Sequence, residues 1–411
     1  MSIAAHVDLP MLGLILFVSS LTAMLTRRIG MPYSVGLVIA GFAMAVSPLG
    51  TGFHLTPEII MQVFLPPLVF EAAVHIEWRS FRREFPLLFA LVTIGVLLAA
   101  AIVAAAMHWL VGWGWLAAAF FGVLIAATDP VAVIATFREI KVDSRLHLLV
   151  EAESLLNDGV AALGFALLLG IAAGAGVGPI EIGVSLMRIA IGGTLCGVAI
   201  GWMCLLIAGR TEDPLVEISL TMIAAYGSFL LADHFHMSGV LATLAAGIVV
   251  GNFGKRGALS KAGRPLLLNV WEFAAFLANS FVFILIGDAG AKPALLAAIP
   301  VAAVATLAAL AGRAVAVYPI SFAFARSRLA VPMGYQHILF WGGLRGALAL
   351  ALALALPPDL PERTAVISAA FLVVAFSIFV QGLTMPRLIA RLGLIRDDDP
   401  DCGQPGMPDC L

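Results

Sequence analysis

Apolar runs of about twenty residues follow one another along the chain, split by short polar segments that carry most of its charge. At 1.5 Å per residue, a helix of about twenty residues crosses the roughly 30 Å hydrocarbon layer of a bilayer. Bounded by charge or by Pro and Gly, such runs fall near 9–26, 32–48, 57–75, 85–108, 112–137, 147–172, 179–208, 213–232, 237–252, 266–287, 294–325, 335–356 and 364–390. Thirteen crossings would use about 260 residues, and 62% of the 411 residues are hydrophobic while only 12% are charged. That composition excludes an ordinary soluble enzyme. The expectation is an all-α polytopic membrane protein in which 1–396 form one transmembrane unit and 397–411 a short cytoplasmic tail.

The placement of Lys and Arg orders these spans. With the N-terminus outside, Arg27 and Arg28, then Arg79, Arg82 and Arg83, then Arg138, Lys141 and Arg145 all face the cytoplasm. So do Arg210, Lys255, Arg256, Lys261, Arg264, Arg326, Arg328, Arg387, Arg391 and Arg396. Only Lys292 and Arg363 then lie outside, while Arg188, Arg313 and Arg345 fall within spans. This asymmetry follows the positive-inside rule, and adding or removing one span would scramble it. The N-terminus is expected outside and the C-terminus in the cytoplasm. The first apolar run has no Lys or Arg before it and no clear cleavage site after it, so it reads as a retained span.

An odd number of spans allows two six-span units, about 9–172 and 213–390, to be inserted in opposite orientations and joined by the span at 179–208. Span 5 is interrupted by Thr128-Asp129-Pro130, and its counterpart, span 12, by Gly342-Gly343-Leu344-Arg345-Gly346. Interrupted helices at matching places in two halves point to a substrate site near the bilayer midplane.

Ionisable groups inside apolar spans are costly and need a partner, a cavity or a function. Span 6 contains Glu151-Ala152-Glu153-Ser154-Leu155-Leu156-Asn157-Asp158-Gly159. At 100° per residue, Ser154 and Asp158 lie one turn apart with Asn157 beside them, while Glu153 is turned about 140° from Asp158. In span 5, Pro130 removes a backbone donor and pushes Asp129 out of helical geometry, which is expected to leave carbonyls near Thr128 free. Asp158, Asp129, Thr128, Ser154 and the Asn157 amide together offer oxygen ligands and no sulfur, the set a hard cation prefers. Glu71 either lines this site or sits at the interface. Glu153 is the natural partner for Arg313, and Arg345, among glycines, either balances the acids or packs on a carbonyl.

The other charges read as interfacial: Glu151, Glu272, Asp233, Asp288, Arg188 and Glu217. His234 and His236 are too few for a metal shell. Cys196 and Cys204 lie in an apolar stretch and Cys402 and Cys410 in the tail, a pattern of neither disulfides nor zinc. Basic and acidic residues nearly balance at 23 against 25, so nucleic acid is not an expected partner. No His-Glu-x-x-His, Gly-x-Ser-x-Gly or Gly-x-x-x-x-Gly-Lys occurs, which argues against an intramembrane protease, a hydrolase or a nucleotide-driven pump. Any transport would be secondary, with no cofactor beyond the transported ions.

The stretches Phe64-Leu65-Pro66-Pro67-Leu68-Val69-Phe70-Glu71, Ala127-Thr128-Asp129-Pro130-Val131-Ala132-Val133, Glu153-Ser154-Leu155-Leu156-Asn157-Asp158-Gly159 and Gly342-Gly343-Leu344-Arg345-Gly346-Ala347 strongly resemble the sodium/proton antiporters of the NhaP/NHE type. These form the electroneutral branch of the monovalent cation:proton antiporters. The resemblance covers essentially the whole chain. It implies a thirteen-helix inverted-repeat fold, a homodimer in the bacterial inner membrane, and an elevator motion of a core against a dimerisation domain. It also implies that Asp158 binds cation or proton, with Asn157 marking the electroneutral branch. Asp129, Thr128 and Ser154 would complete the Na+ site, and Glu71 would reach it directly or through water. Glu153 with Arg313 would form a structural ion pair, and Arg345 would be functionally important.

The physics of exchange can be stated independently. A carboxylate near the midplane is neutral when it holds either a proton or a monovalent cation, and the empty charged site is penalised on crossing the low-dielectric barrier. One sodium or lithium ion is therefore expected to exchange for one proton, with potassium/proton exchange or a cation channel or sensor as the alternatives.

Overall fold

The computed structural model describes residues 9–29, 31–47, 57–174, 178–254, 258–290 and 294–394, and all regular structure among them is helical. The tail with Cys402 and Cys410, together with Lys255, Arg256, Lys292 and Arg396, lies outside the described residues, as do the side chains of Arg138 and Asp288. The main helices are α1 (Leu9–Ile29), α2 (Tyr33–Val46), α3 (Ile60–His75), α4 (Trp78–Val111), α6 (Ser144–Ala172), α7 (Pro179–Ala208), α8 (Pro214–His234), α9 (Gly239–Phe253), α10 (Gly263–Gly290), α11 (Ile299–Ala323) and α13 (Arg363–Arg391). Two more are broken: α5 into Trp115–Ala126 and Val131–Ile140, and α12 into Met333–Trp341 and Ala347–Leu354. Among the described residues, eight helices are long and apolar enough to cross a membrane. This is a polytopic all-helical membrane protein.

Local sequence sets several helix starts. The Asp143 carboxylate accepts the backbone N–H of Arg145 at 2.9 Å and caps α6, and Asp213 caps α8 through Leu215 at 2.9 Å, with Pro214 in the first turn. The helices sort into two packed groups, α1, α2, α3, α7, α8, α9 and α10 in one and α4, α5, α6, α11, α12 and α13 in the other. Lipid gives no hydrophobic drive between helices, so close backbone approach matters. Gly193 and Gly197 of α7 lie directly against the backbone of Ser238, which caps α9, and of Ala242 within it, and Gly41 of α2 against Ile284 of α10.

The structure extends and corrects the hydropathy reading at the polar margins. Helix α4 begins at Trp78, so Arg79, Arg82 and Arg83 lie in its first turns and not in a loop. Its Glu84, only 2% exposed, is held bidentately by Arg145 at 2.9 Å on both oxygens, and Arg145 also donates to the Ala330 carbonyl at 3.0 Å. These charges close the ends of α4 and α6 onto the α11–α12 connection. Glu151 and Glu217, at the margins of their spans, are also buried: Glu217 accepts from the N–H and hydroxyl of Ser260, and Glu151 lies 3.9 Å from His147.

Candidate functional site

The two interruptions meet. The backbone N–H of Asp129, in the break of α5, donates to the carbonyl of Leu344, in the break of α12, at 2.8 Å. Each break exposes the end of a half-helix, where unsatisfied N–H groups carry partial positive charge and unsatisfied carbonyls partial negative charge. Asp129 answers the positive ends. Its carboxylate accepts the N–H of Val131 at 2.9 Å and that of Ala347, the first residues of the second halves of α5 and α12. Gly346 makes this approach feasible, because a Cβ there would overlap the Asp129 carboxylate.

Arginines answer the negative ends. Arg345, 4% exposed, donates from Nη1 to the carbonyls of Ala126 and Ala127 at 3.1 Å, closing the first half of α5. Arg313 of α11 donates from Nε and Nη2 to the Leu339 carbonyl at 3.1 and 2.8 Å, in the last turn of the first half of α12. The guanidinium also grips Glu153 of α6, at 2.5 and 2.9 Å to its two oxygens. Gly343 leaves room for it, since a Cβ there would press on the guanidinium.

From Glu153 a chain of donors runs along α6 and into the α5 break. Asn157 Nδ2 donates to Glu153 Oε1 at 2.5 Å and to Thr128 Oγ1 at 3.0 Å. The Thr128 hydroxyl donates to Ser154 Oγ at 3.1 Å, and the Ser154 hydroxyl donates to the Thr128 carbonyl. A carboxylate accepts only, so the contact with Glu153 fixes the Asn157 amide with its nitrogen toward Glu153.

The carbonyls expected to be free around Thr128 are therefore taken: those of Ala126 and Ala127 by Arg345, that of Thr128 by Ser154. The buried oxygens without a hydrogen-bond partner at this site, among the described residues, are Asp158 Oδ1 and Asn157 Oδ1. The Thr128 N–H faces the Asp158 carboxylate, and Asp129 and Glu153 lie close enough to act on it as like charges. A buried carboxylate oxygen and a buried amide oxygen that both lack donors are what a hard cation, or a proton on the carboxylate, would satisfy.

Thr128, Asp129, Ser154, Asn157 and Asp158 are thus brought together, with Glu153, Arg313 and Arg345 around them. Glu71 of α3 contacts His75: its carbonyl accepts from His75 Nδ1 at 2.8 Å, and its carboxylate lies 3.7 Å from the same nitrogen. The Glu84–Arg145 pair and the half-helix roles of Asp129 and Arg313 are additional to the sequence reading. Apart from the charged residues bordering apolar runs, no sequence signal marks the pair.

Residues 13–391 match the family described as sodium/hydrogen exchanger, transmembrane. The chain belongs to the sodium/hydrogen exchanger family. As a member it is a membrane transporter and not an enzyme. It is 38% identical over 371 residues to the Na+/H+ antiporter ApNhaP of Aphanothece halophytica, covering 89% of this chain and 70% of that one. It is 30% identical over 402 residues to the antiporter NhaH of Halobacillus dabanensis, covering 93% and 97% of the two chains. The fold matches that of the sodium proton antiporter MjNhaP1 from Methanocaldococcus jannaschii with a TM-score of 0.73 at 20% identity, over 93% of this exchanger and 97% of that chain.

Proposed function

We propose that this exchanger moves one sodium or lithium ion against one proton at Asp158, without net charge transfer. The observation that carries the reading is the pair of buried oxygens without donors, Asp158 Oδ1 and Asn157 Oδ1, in a site whose other polar groups are engaged. The formal charges around it agree. Asp129, Glu153 and Asp158 oppose Arg313 and Arg345, leaving one negative charge that one proton or one monovalent cation cancels. Two guests at once would leave an uncompensated positive charge in a low-dielectric interior, so each excludes the other. The antiporter names of the relatives are consistent with this chemistry.

Transport follows if the helices that carry the site move as a unit. Every residue named around Asp158 lies on α5, α6, α11 or α12, within one of the two packed groups. Sliding that group against the other exposes the site to alternate sides, an elevator motion, while the stationary group pairs with a second copy in a homodimer. The meeting of the two breaks supports an inverted-repeat arrangement of thirteen crossings, 9–172 against 213–390 about α7, and the placement of Lys and Arg supports an N-terminus outside and a C-terminus in the cytoplasm, in a bacterial inner membrane.

Reconstitution into liposomes tests the stoichiometry. Sodium and lithium gradients should drive proton movement, potassium should not, and an imposed diffusion potential should leave the initial rate unchanged within about twofold, since no charge crosses the field. A rate that tracks voltage would contradict one-for-one exchange, and potassium acting as well as sodium would contradict the substrate.

A further inference from the structure

A cavity of about 500 Å³, with none of the residues around Asp158 in its lining, opens between α11, the first half of α12 and α13. Its wall is Tyr318, His337, Phe340, Trp341, Thr384 and Leu388, and its rim holds Arg387 and Arg391. Polar groups of the wall bond to one another and to the backbone. The Tyr318 hydroxyl meets His337 Nδ1 at 2.9 Å, Trp341 Nε1 donates to Thr384 Oγ1 at 2.8 Å, and the Thr384 hydroxyl donates to the Val380 carbonyl at 2.6 Å. What remains is a largely apolar, aromatic surface.

The rim is the opposite. Arg387 and Arg391 stand one turn apart on the same face of α13, both exposed, and neither has a salt-bridge partner among the described residues. Positions four apart on a helix are about 6 Å from one another, close enough for two guanidiniums to share one phosphate. Around the cavity the surface suits hydrocarbon: Phe322, one turn beyond Tyr318 on α11, is 79% exposed, and Val380 is 39% exposed. Arg326 and Arg328, just beyond the same end of α11, are also exposed.

From this we infer that the α11–α12–α13 cavity binds one anionic phospholipid, its phosphate held by Arg387 and Arg391 and its glycerol and upper acyl chain lying along Phe340, Trp341 and Leu388. Basic pockets between transmembrane helices recognise anionic headgroups through this combination of charge and apolar depth. A nucleotide or a free phosphate fits less well. The first would need unpaired donors and acceptors inside the cavity, and the second would leave its apolar floor unused. A lipid seated here touches the half-helix whose last turn Arg313 holds, so its presence should also stiffen α12 against thermal disorder.

The test uses the purified full chain in detergent, with native mass spectrometry and thermal unfolding as readouts. Dioleoyl phosphatidylglycerol should be retained as one molecule per chain and raise the unfolding midpoint, while dioleoyl phosphatidylcholine should do neither. Arg387→Gln with Arg391→Gln should weaken phosphatidylglycerol binding about thirtyfold, from two surface arginines at roughly 1 kcal/mol each. Both side chains are exposed, so the fold should survive, and Arg387→Lys with Arg391→Lys should recover most of the binding. Equal retention by the wild type and the glutamine variant would overturn the proposal. So would an equal shift from inorganic phosphate, or a lipid effect seen only after residues 397–411, with their own aspartates, are removed.

Discussion

Asp158→Asn should abolish cation/proton exchange in liposomes, lowering the rate by at least about a thousandfold to the background of protein-free vesicles, while the purified protein elutes and unfolds as the wild type does. The substitution replaces one carboxylate oxygen by an NH2 group and loses little packing. Asp158 Oδ1 has no hydrogen-bond partner among the described residues, so no bond within the protein breaks there. What is lost is the charge. With Asn at 158, Asp129 and Glu153 balance Arg313 and Arg345, the site is neutral without a guest, and neither a cation nor a proton is required. The expected stability change is therefore within about 1 kcal/mol in either direction, since surroundings that burdened a buried carboxylate tolerate a neutral amide. Sodium-driven proton movement by this variant at even a tenth of the wild-type rate would remove Asp158 from the centre of the mechanism.

Arg313→Ala should be the most destabilising single change near the site. The guanidinium makes two contacts to Glu153 and two to the Leu339 carbonyl, so truncation strands a buried carboxylate and a helix C-terminal carbonyl together. Removing one partner of a buried ion pair typically loses about 3–5 kcal/mol, most of it from the charge left behind. Thermal unfolding in detergent should show a clearly lowered midpoint. The double variant Glu153→Gln with Arg313→Ala should recover part of that loss, because no carboxylate is then left unpaired. Arg313→Lys should fall between, since an ammonium cannot hold both Glu153 oxygens and the Leu339 carbonyl in one plane. Exchange should drop in Arg313→Ala as well: the formal charge around Asp158 becomes −2, and a single guest no longer neutralises it. A single variant as stable and as active as the wild type would show that the pair does neither job.

The sequence discloses those parts of this arrangement that depend on chemistry rare in an apolar helix. Asp129-Pro130 and Gly342–Gly346 break helical periodicity, and breaks leave a mark in the residue types themselves. Acids and arginines inside hydrocarbon demand partners, which is why Glu153 and Arg313 stand out from the residue types alone. The partners of Arg345 are not legible in the same way. They are the backbone carbonyls of Ala126 and Ala127, more than 200 positions away, and a backbone group carries no sequence signature. The fate of the broken-helix carbonyls is hidden for the same reason: a proline shows that they lose their helical partners but not that an arginine and a serine supply new ones. At the membrane margins hydropathy does not reveal that Glu84, Glu151 and Glu217 are buried, because a charge beside an apolar run looks solvated whether or not a neighbouring helix covers it.

Competition between proton and cation at one carboxylate is the claim on which the rest depends, and sodium binding measured together with proton release tests it most directly. In weakly buffered detergent solution, saturating the protein with sodium should release about one proton per chain at acidic pH, and the apparent affinity should weaken about tenfold for each further unit of acidification, as linkage at a shared site requires. Sodium binding with the same affinity across that pH range and no accompanying proton release would contradict the account.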